Sequence, residues 1–546
     1  MTDAAAPKTP EAQEGEVRKR TWAAFVCVLL LIVSIASDIT IVDAVLPNII
    51  TDLGIGVDEA SLAITLFLAV AAAFTIMFGK FADRQGRKTW TLVAGVLLVV
   101  GSAITASAVN APMLFAGRIV QGLGTACLLG AGFGLLNVLF PPGLPARPFA
   151  LGAWSIAITA GTAIGPVIGG AFAGTSWRYA FVFVLAIGVI GTVGVHFLLD
   201  PTAGSRDKAS FDVGGTVMLV ISLGLIVVGV SLGSRVGWLF TRSGDTISYA
   251  FVMLVVGLVL FATYWLYEFR RSRQDKAQLL PFEMLKLRSF YSGAIAAALM
   301  TIPYFGMLTF IPLYTEFTWG YTPLLAGLLL AAFGVGGIVG GRVSGHLLPR
   351  FGSRHLAIWM IALQFIAIAV VIPILGPTLS GWFLVIPLAV FGFGWSIAYS
   401  AALESILAEV PPRLSAVAGS AQAVTRFLSG AIGTAILVAV FAVTLNTLIA
   451  GEIDEIAGLN DAQRETVTNM LVVDVNTYAG TTGIARGVRG LDIPEVRGRP
   501  NELITDTKSA YTDATRAVVI ASAIFSLIAL AAAFLIPHTA AKPDDA

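Results

Sequence analysis

The chain has 546 residues, of which 57% are hydrophobic and only 12% are charged. Globular domains carry about 25% charged residues, so this composition excludes an ordinary soluble fold. The formal net charge is only +1, so the total charge does not favour a strongly acidic or basic partner such as a nucleic acid.

Apolar runs recur from end to end, and each has the length, roughly 20 residues, that crosses a bilayer as a helix. With the N-terminus inside, basic residues collect on the inner segments and the first outer loop is acidic, as the positive-inside rule requires. The pattern predicts a multi-pass protein of the plasma (inner) membrane with both termini cytoplasmic. The fourteen predicted spans are 22–42, 60–79, 89–108, 113–136, 149–172, 180–198, 213–233, 247–267, 290–315, 323–346, 356–375, 382–406, 415–446 and 514–536.

An internal repeat sets the predicted domain organisation. Residues 79–88 and 345–354 share Gly, Arg, Gly and a basic residue at one offset, which indicates two homologous halves. Paired halves are typical of secondary transporters. The predicted segments are a cytoplasmic tail (1–21), an N-terminal six-helix bundle (22–199), two inserted spans (211–267), a cytoplasmic linker (268–289), a C-terminal six-helix bundle (290–536) containing a long extracytoplasmic loop (447–513), and a cytoplasmic tail (537–546). A short amphipathic helix is predicted at 461–473 within that loop.

Several motifs resemble those of one family. Residues 79–88 resemble the loop signature of the major facilitator superfamily, and 114–126 resemble its fourth-span motif around an intramembrane arginine. Residues 161–170 resemble the fifth-span signature of its antiporters. Residues 38–47, 281–290 and 425–435 resemble the fourteen-span drug:proton antiporter branch, whose members are multidrug efflux transporters. The resemblance implies an all-α membrane protein with the major facilitator fold.

The resemblance and the chemistry of buried charge together indicate a proton-coupling pair. Asp38 lies deep in the first span, where a carboxylate must face a cavity or bind a proton. Arg118 in the fourth span cannot lose its proton and must find acceptors. We expect Arg118 to act with Asp38, or with another acid, to set proton affinity. The alternatives are a hydrogen-bonded polar contact for Asp38 and a brace against backbone carbonyls for Arg118.

Acids and aromatic residues mark candidate substrate-binding positions: Asp43, Tyr304, Phe305 and Glu316. An acid among aromatic rings suits a cationic amphiphile through charge and cation–π contact. An interfacial aromatic belt explains the same rings equally well. The family usually has Asn where this chain has Asp43, and Gln where it has Glu316. Arg426 is a weaker candidate, because its long side chain can reach water.

Two further motifs predict conformational roles. In the loop at 79–88, we expect Asp83 to cap a helix and the basic residues to pair with acids on neighbouring spans, forming an inner-face latch. Ordinary inner-loop positive charge is the alternative. The latch residues are Gly79, Asp83, Arg84, Gly86, Arg87 and Lys88. The antiporter motif comprises Gly161, Gly165, Pro166, Gly169 and Gly170, whose spacing lets a neighbouring helix approach closely.

These observations predict a secondary active transporter that exports amphiphilic or cationic drug-like compounds by proton-coupled antiport and confers drug resistance. A dedicated exporter of one metabolite, such as a siderophore, lipid or antibiotic, is the alternative. No nucleotide-binding loop or catalytic set occurs in the sequence, so neither a primary pump nor an enzyme is expected. The expected partners are the small substrate, protons and the lipid bilayer, with no nucleic acid or nucleotide, no metal and no cofactor beyond the proton gradient. A monomer is expected.

Overall fold

The computed structural model describes residues 10–140, 146–201, 212–240, 246–274, 282–376, 380–410, 415–456, 458–476, 493–497 and 499–538. Across these ranges the chain is almost entirely helical, and the single β-type pairing is an isolated bridge between Phe240 and Ile247. Residues 1–9 and 539–546 of the predicted tails, 275–281 of the predicted linker and 477–492 of the predicted loop lie outside the described residues.

Sixteen α-helices and one 3₁₀ turn are described. The first eight are α1 (Pro10–Leu53), α2 (Val57–Gln85), α3 (Arg87–Ala106), α4 (Ala111–Leu139), α5 (Arg147–Ala173), α6 (Arg178–Leu198), α7 (Val213–Val236) and α8 (Tyr249–Arg273). The others are α9 (Phe282–Leu285), α10 (Arg288–Phe317), α11 (Pro323–Ile374), the 3₁₀ turn (Gly381–Leu384), α12 (Val385–Ala408), α13 (Ser415–Asp454), α14 (Asp461–Asn476), α15 (Pro494–Arg497) and α16 (Pro500–Ala533).

Twelve of the described helices are long and apolar enough to cross a membrane. One of these, α11, has 52 residues and consists of two helices joined at Gly352, whose φ of 74° and ψ of 160° are not helical. A positive φ favours glycine because it has no Cβ to clash. Helix α7 adds a shorter apolar stretch, Gly214–Val230. The chain is therefore a multi-pass membrane protein, and the number fourteen stays a prediction.

The helices form two bundles that face each other. In the N-terminal half, α1 packs along α5 and α6, and α4 packs against α2 and α3. In the C-terminal half, α11 packs along α12, and α10 contacts α12, α13 and α16. The halves meet along two seams, α5 with α11 and α2 with α13. The all-α fold with two six-helix halves is thus confirmed.

The inserted pair, α7 and α8, lies beside the seam between α2 and α13. The two helices pack against each other, and α7 contacts both α2 and α13, so the pair touches both halves. A polar cluster joins their ends at Asp212, whose carboxylate accepts from the Tyr267 hydroxyl at 3.0 Å and pairs with Arg271 Nε at 3.3 Å.

Two predicted segments contain more helix than the apolar runs indicate. The predicted tail at 1–21 is helical from Pro10, and the predicted loop at 447–513 contains much helix. Helix α13 continues to Asp454 because Leu445, Ile449 and Ile453, spaced by four, are buried in one cluster with apolar residues of α14. The helix predicted at 461–473 is present as α14, and α16 begins at Pro500, well before the predicted span.

Candidate substrate and proton site

Asp38 and Arg118 form an ion pair inside the N-terminal half. Arg118 Nη1 donates to Asp38 Oδ2 at 2.7 Å, and both side chains are at most 1% exposed. Asp38 lies on α1 and Arg118 on α4, so the pair joins two helices of one bundle. The structure brings the two predicted coupling residues into direct contact.

Gln121 completes this ion pair, and sequence analysis missed it. Its Nε2 donates to Asp38 Oδ1 at 2.8 Å, while its Oε1 accepts from Arg118 Nη1 at 2.9 Å. Gln121 lies three residues after Arg118 on the same helix, a spacing that places both side chains on one face and was the available signal. Both carboxylate oxygens of Asp38 are therefore hydrogen-bonded, which a buried charge requires.

Arg118 also makes the backbone contact that was the alternative prediction. Its Nε donates to the Ala63 carbonyl of α2 at 3.1 Å, and its guanidinium lies 4.4 Å from the centre of the Phe67 ring. Arg118 can therefore both pair with Asp38 and brace its helix against a backbone carbonyl, since the guanidinium has enough donors for an acid, an amide and a carbonyl. A proton on Asp38 would remove one charge from a site that links α1, α2 and α4.

Asp43 links the two halves. Its Oδ1 accepts from the Thr309 hydroxyl of α10 at 2.7 Å, and the residue is fully buried. Its Oδ2 has no hydrogen-bond partner among the described residues. Asn, the residue usual in the family, would accept this bond equally well, so what Asp43 adds is a group that can gain or lose a proton.

The predicted substrate-binding residues do not form one cluster. Tyr304 and Phe305 are buried, and Tyr304 stacks on Trp395 with ring centres 4.4 Å apart. Glu316 lies twelve residues further along α10, roughly 18 Å at the helical rise of 1.5 Å per residue. Its Oε1 is buried and lacks a hydrogen-bond partner among the described residues. The structure therefore separates Glu316 from Tyr304, which the sequence grouped together.

The loop at 79–88 is held by different bonds from those predicted. Asp83 does not cap α3; it accepts from Arg87 at 2.8 Å, within its own segment. Arg87 Nη1 donates to the Gly134 carbonyl at 2.6 Å, and Lys88 Nζ donates to the His196 carbonyl at 2.9 Å. The acid that Arg87 contacts is therefore Asp83 of the same loop, and the pairing of Lys88 with an acid on a neighbouring span stays a prediction. The His196 carbonyl lies in the last turn of α6, where carbonyls lack helical partners and attract cations.

Three other positions of this loop are placed as follows. Gly86 has φ 100° and ψ 130° between α2 and α3, a conformation that favours glycine. Gly79 packs against Gly130 of α4, whose carbonyl a Cβ would meet at 3.3 Å. Arg84 lies in the last turn of α2. The latch role of the loop stays a prediction.

The fifth-span motif forms a close contact with α1. A Cβ on Gly161, Gly165 or Gly169 would meet atoms of α1 at 2.6, 2.1 and 3.0 Å respectively. The Ser37 hydroxyl donates to the Gly161 carbonyl at 3.2 Å. The glycines spaced by four thus let the two helices approach closely, as their spacing predicts.

The opposite face of α5 meets the C-terminal half. A Cβ on Gly170 would meet the Pro323 carbonyl of α11 at 2.3 Å, and one on Gly327 would meet the Pro166 carbonyl at 2.1 Å. Helix α5 therefore packs tightly on α1 on one side and on α11 on the other.

Two facing bundles of membrane helices that bury charged side chains are typical of membrane transporters. The family model described as Major Facilitator Superfamily matches residues 28–218 and 213–434, which is more than half of the sequence. The chain belongs to the Major Facilitator Superfamily.

Individual relatives agree with this assignment. The chain is 28% identical over 450 residues to the probable actinorhodin transporter of Streptomyces coelicolor, over 80% of this chain and 75% of that protein. It is 25% identical over 409 residues to multidrug resistance protein 3 of Bacillus subtilis, over 75% and 77% of the two chains. A bacterial homologue of the human lysosomal transporter Spinster, solved inward-facing and unoccupied, matches with a TM-score of 0.58 and 17% identity over 95% of this chain and 97% of that chain. The last match supports the fold alone.

Proposed function

We propose that the chain is a proton-coupled antiporter of the plasma membrane that exports amphiphilic or cationic drug-like compounds. The observation that carries the proposal is the buried Asp38–Arg118 pair, a titratable group joined to a fixed charge at 2.7 Å. The name of the Bacillus relative, a multidrug resistance protein, supports the export of drugs. The proposed transporter works as a monomer with both termini cytoplasmic, and needs no cofactor besides the proton gradient.

The proposed coupling acts through α1. A proton on Asp38 neutralises the carboxylate and weakens its attraction to Arg118. The loss of electrostatic energy is larger in a buried site than in water, because the effective dielectric constant there is lower. The same helix contacts the glycines of α5 and, through Asp43, bonds Thr309 of the opposite half. Loss of the charge on Asp38 therefore changes the energetics of the helix that joins both halves, which biases the equilibrium between outward-open and inward-open states.

One alternative function has an observation in its favour. The Streptomyces relative is named a probable actinorhodin transporter, which indicates a scaffold that also serves a single metabolite. A dedicated exporter of one antibiotic-like compound would use the same proton site and a narrower substrate site. Both functions predict gradient-driven export, and they differ in the range of compounds carried.

The test uses proteoliposomes with an imposed pH gradient and ethidium as a fluorescent lipophilic cation. We expect wild type to accumulate ethidium against its gradient and Asp38→Asn to lose this accumulation. The matched control is Asp52→Asn, which removes an acid from the outer end of the same helix, where Asp52 pairs with Arg178 at 2.7 Å. Asp52→Asn should retain accumulation.

A second measurement separates coupling from folding. Ethidium exchange without a pH gradient should persist in Asp38→Asn, because exchange requires substrate binding and conformational change but no net proton movement. Full gradient-driven accumulation by Asp38→Asn would refute the role of Asp38. Absence of ethidium transport by folded wild type, with transport of a single metabolite from a panel, would favour the dedicated exporter.

A further inference from the structure

A second charged cluster lies in the C-terminal half, between α12 and α13. Arg426 of α13 is 9% exposed, although sequence analysis expected its side chain to reach water. Its Cζ lies 5.2 Å from the ring centre of Trp395, 5.4 Å from that of Tyr399 and 5.8 Å from that of Tyr304. Trp395 also stacks on Tyr399, with ring centres 5.1 Å apart. The Phe427 ring centre lies 5.9 Å away, so the guanidinium is surrounded by four aromatic rings.

Arg426 has no negative partner. Among the described residues no carboxylate lies within ion-pair distance of its guanidinium, and its Nε has no hydrogen-bond acceptor. Arginine stays protonated in proteins, so this is a permanent buried positive charge. A buried charge without a counter-charge is strongly unfavourable, and cation–π contact offsets only part of that cost. The Arg118 guanidinium, by contrast, is paired with Asp38.

Further free donors lie beside Arg426. Trp395 Nε1 and Gln422 Nε2 are buried and have no acceptor among the described residues. Gln422 lies one turn before Arg426 on α13, and its Oε1 accepts from the Tyr399 hydroxyl at 2.7 Å. Since Trp395 and Tyr399 are one turn apart on α12, these four side chains form one continuous group, hereafter the Arg426 site. It offers three unpaired donors and one positive charge, with no negative charge.

We propose that the Arg426 site binds the anionic group of an aromatic amphiphile, such as a carboxylate or an ionised phenol. The anion accepts from the free donors, and the aromatic body of the ligand packs against the exposed part of Tyr399, the half-buried ring of the site. This inference rests on the proposed export function and names a substrate class for it. Glu316 lies twelve residues beyond Tyr304 on α10, roughly 18 Å at the helical rise of 1.5 Å per residue, so it can still receive a cationic group.

Binding requires an opening of the site. Trp395 and Gln422 are 5% and 4% exposed, so the ligand enters when α12 and α13 move relative to the facing half. Such a ligand shifts the conformational equilibrium towards the more open state by the ratio of its affinities for the two states. The buried position adds specificity. Any donor that a neutral ligand leaves unpaired lowers the free energy gained on binding, because a buried unpaired donor has lost its water without gaining an acceptor.

The test compares two aromatic probes of the same shape, the anion 1-naphthoate and the neutral 1-naphthamide. Binding to purified full-length protein in detergent micelles is measured by isothermal titration calorimetry without a pH gradient. We expect wild type to prefer 1-naphthoate. Arg426→Gln should weaken 1-naphthoate binding about tenfold or more, the usual worth of a hydrogen bond to a charged group, and leave 1-naphthamide binding within about twofold.

Two other variants keep the result interpretable. Arg288→Gln removes an exposed arginine of the same half and should change neither affinity. Trp395→Phe keeps an aromatic ring, though a smaller one, and removes the Nε1 donor, so it should weaken 1-naphthoate binding more than 1-naphthamide binding, by a smaller factor than Arg426→Gln. A cooperative unfolding transition, followed by tryptophan fluorescence, shows that a variant is folded.

Three outcomes would overturn the proposal: no preference of wild type for 1-naphthoate, unchanged 1-naphthoate affinity in Arg426→Gln, or an equal loss of both probes in a folded Arg426→Gln protein. Because no gradient is applied, these outcomes are independent of whether Asp38 couples transport to protons. Failure of ethidium transport would leave the anion measurement unaffected.

Discussion

The contact between α1 and α5 gives a quantitative prediction at Gly165. An alanine there would place its Cβ 2.1 Å from Thr40 Oγ1 and 2.7 Å from the Ser37 carbonyl oxygen, whereas ordinary contacts begin at 3.4 Å. The threonine side chain can rotate away, but the carbonyl belongs to the backbone of α1. The two helices must therefore separate locally by roughly 0.7 Å (3.4 − 2.7), which forfeits part of the dispersion energy along the contact.

We expect Gly165→Ala to lower the free energy of unfolding by about 1–3 kcal/mol, the usual cost of overpacking a well-packed core. Unfolding of the purified protein in detergent micelles, followed by tryptophan fluorescence, measures the change. The matched control is Gly174→Ala at the end of the same helix, where a Cβ meets nothing within 4 Å and φ is −67°. Alanine at that position should be neutral or stabilising by up to about 1 kcal/mol.

A double variant tests the stated cause. Thr40→Ala removes the nearest atom but not the Ser37 carbonyl, so Thr40→Ala combined with Gly165→Ala should recover only part of the loss. Equal stability of Gly165→Ala and Gly174→Ala would refute the reasoning, because it would mean that α1 and α5 are not held at this distance. Full recovery in the double variant would show that the carbonyl contact is unimportant.

Two further predictions concern buried polar bonds. Arg118→Gln should lower the free energy of unfolding by about 3–5 kcal/mol because it leaves Asp38 charged and unpaired. The double variant Arg118→Gln with Asp38→Asn should be more stable than Arg118→Gln alone, and equal stabilities of the two in the same assay would contradict this. Thr309→Val should cost about 1–3 kcal/mol because Asp43 loses its one hydrogen bond. Thr301→Val is its control, since that hydroxyl bonds only the Ala297 carbonyl of its own helix, and equal losses would argue against the link between the halves.

The sequence by itself determined the membrane class, the two halves and the motifs. Apolar runs of spanning length are a property of composition along the chain, and a bilayer leaves a backbone little choice other than helix. The same logic identified Asp38 and Arg118, because charges inside spans are costly and must be satisfied. The spacing of Gly161, Gly165 and Gly169 likewise predicted a close helix contact, which needs only the helical period.

Partners across helices depended on the tertiary structure. The bond from Thr309 to Asp43 joins residues 266 apart, and its existence depends on how α1 and α10 are rotated towards each other. The bonds from Arg87 to Gly134 and from Lys88 to His196 run to backbone carbonyls, which every residue possesses, so no residue type marks these acceptors.

Burial was also decided by packing. Arg426 has a side chain long enough to reach water, and only the arrangement of α10, α12 and α13 places Tyr304, Trp395 and Tyr399 around it. The extension of α13 past the predicted span depended in the same way on α14 packing against it. A sequence states which groups need partners, whereas rotation and tilt of helices, set by packing over the whole bundle, decide which partners they receive.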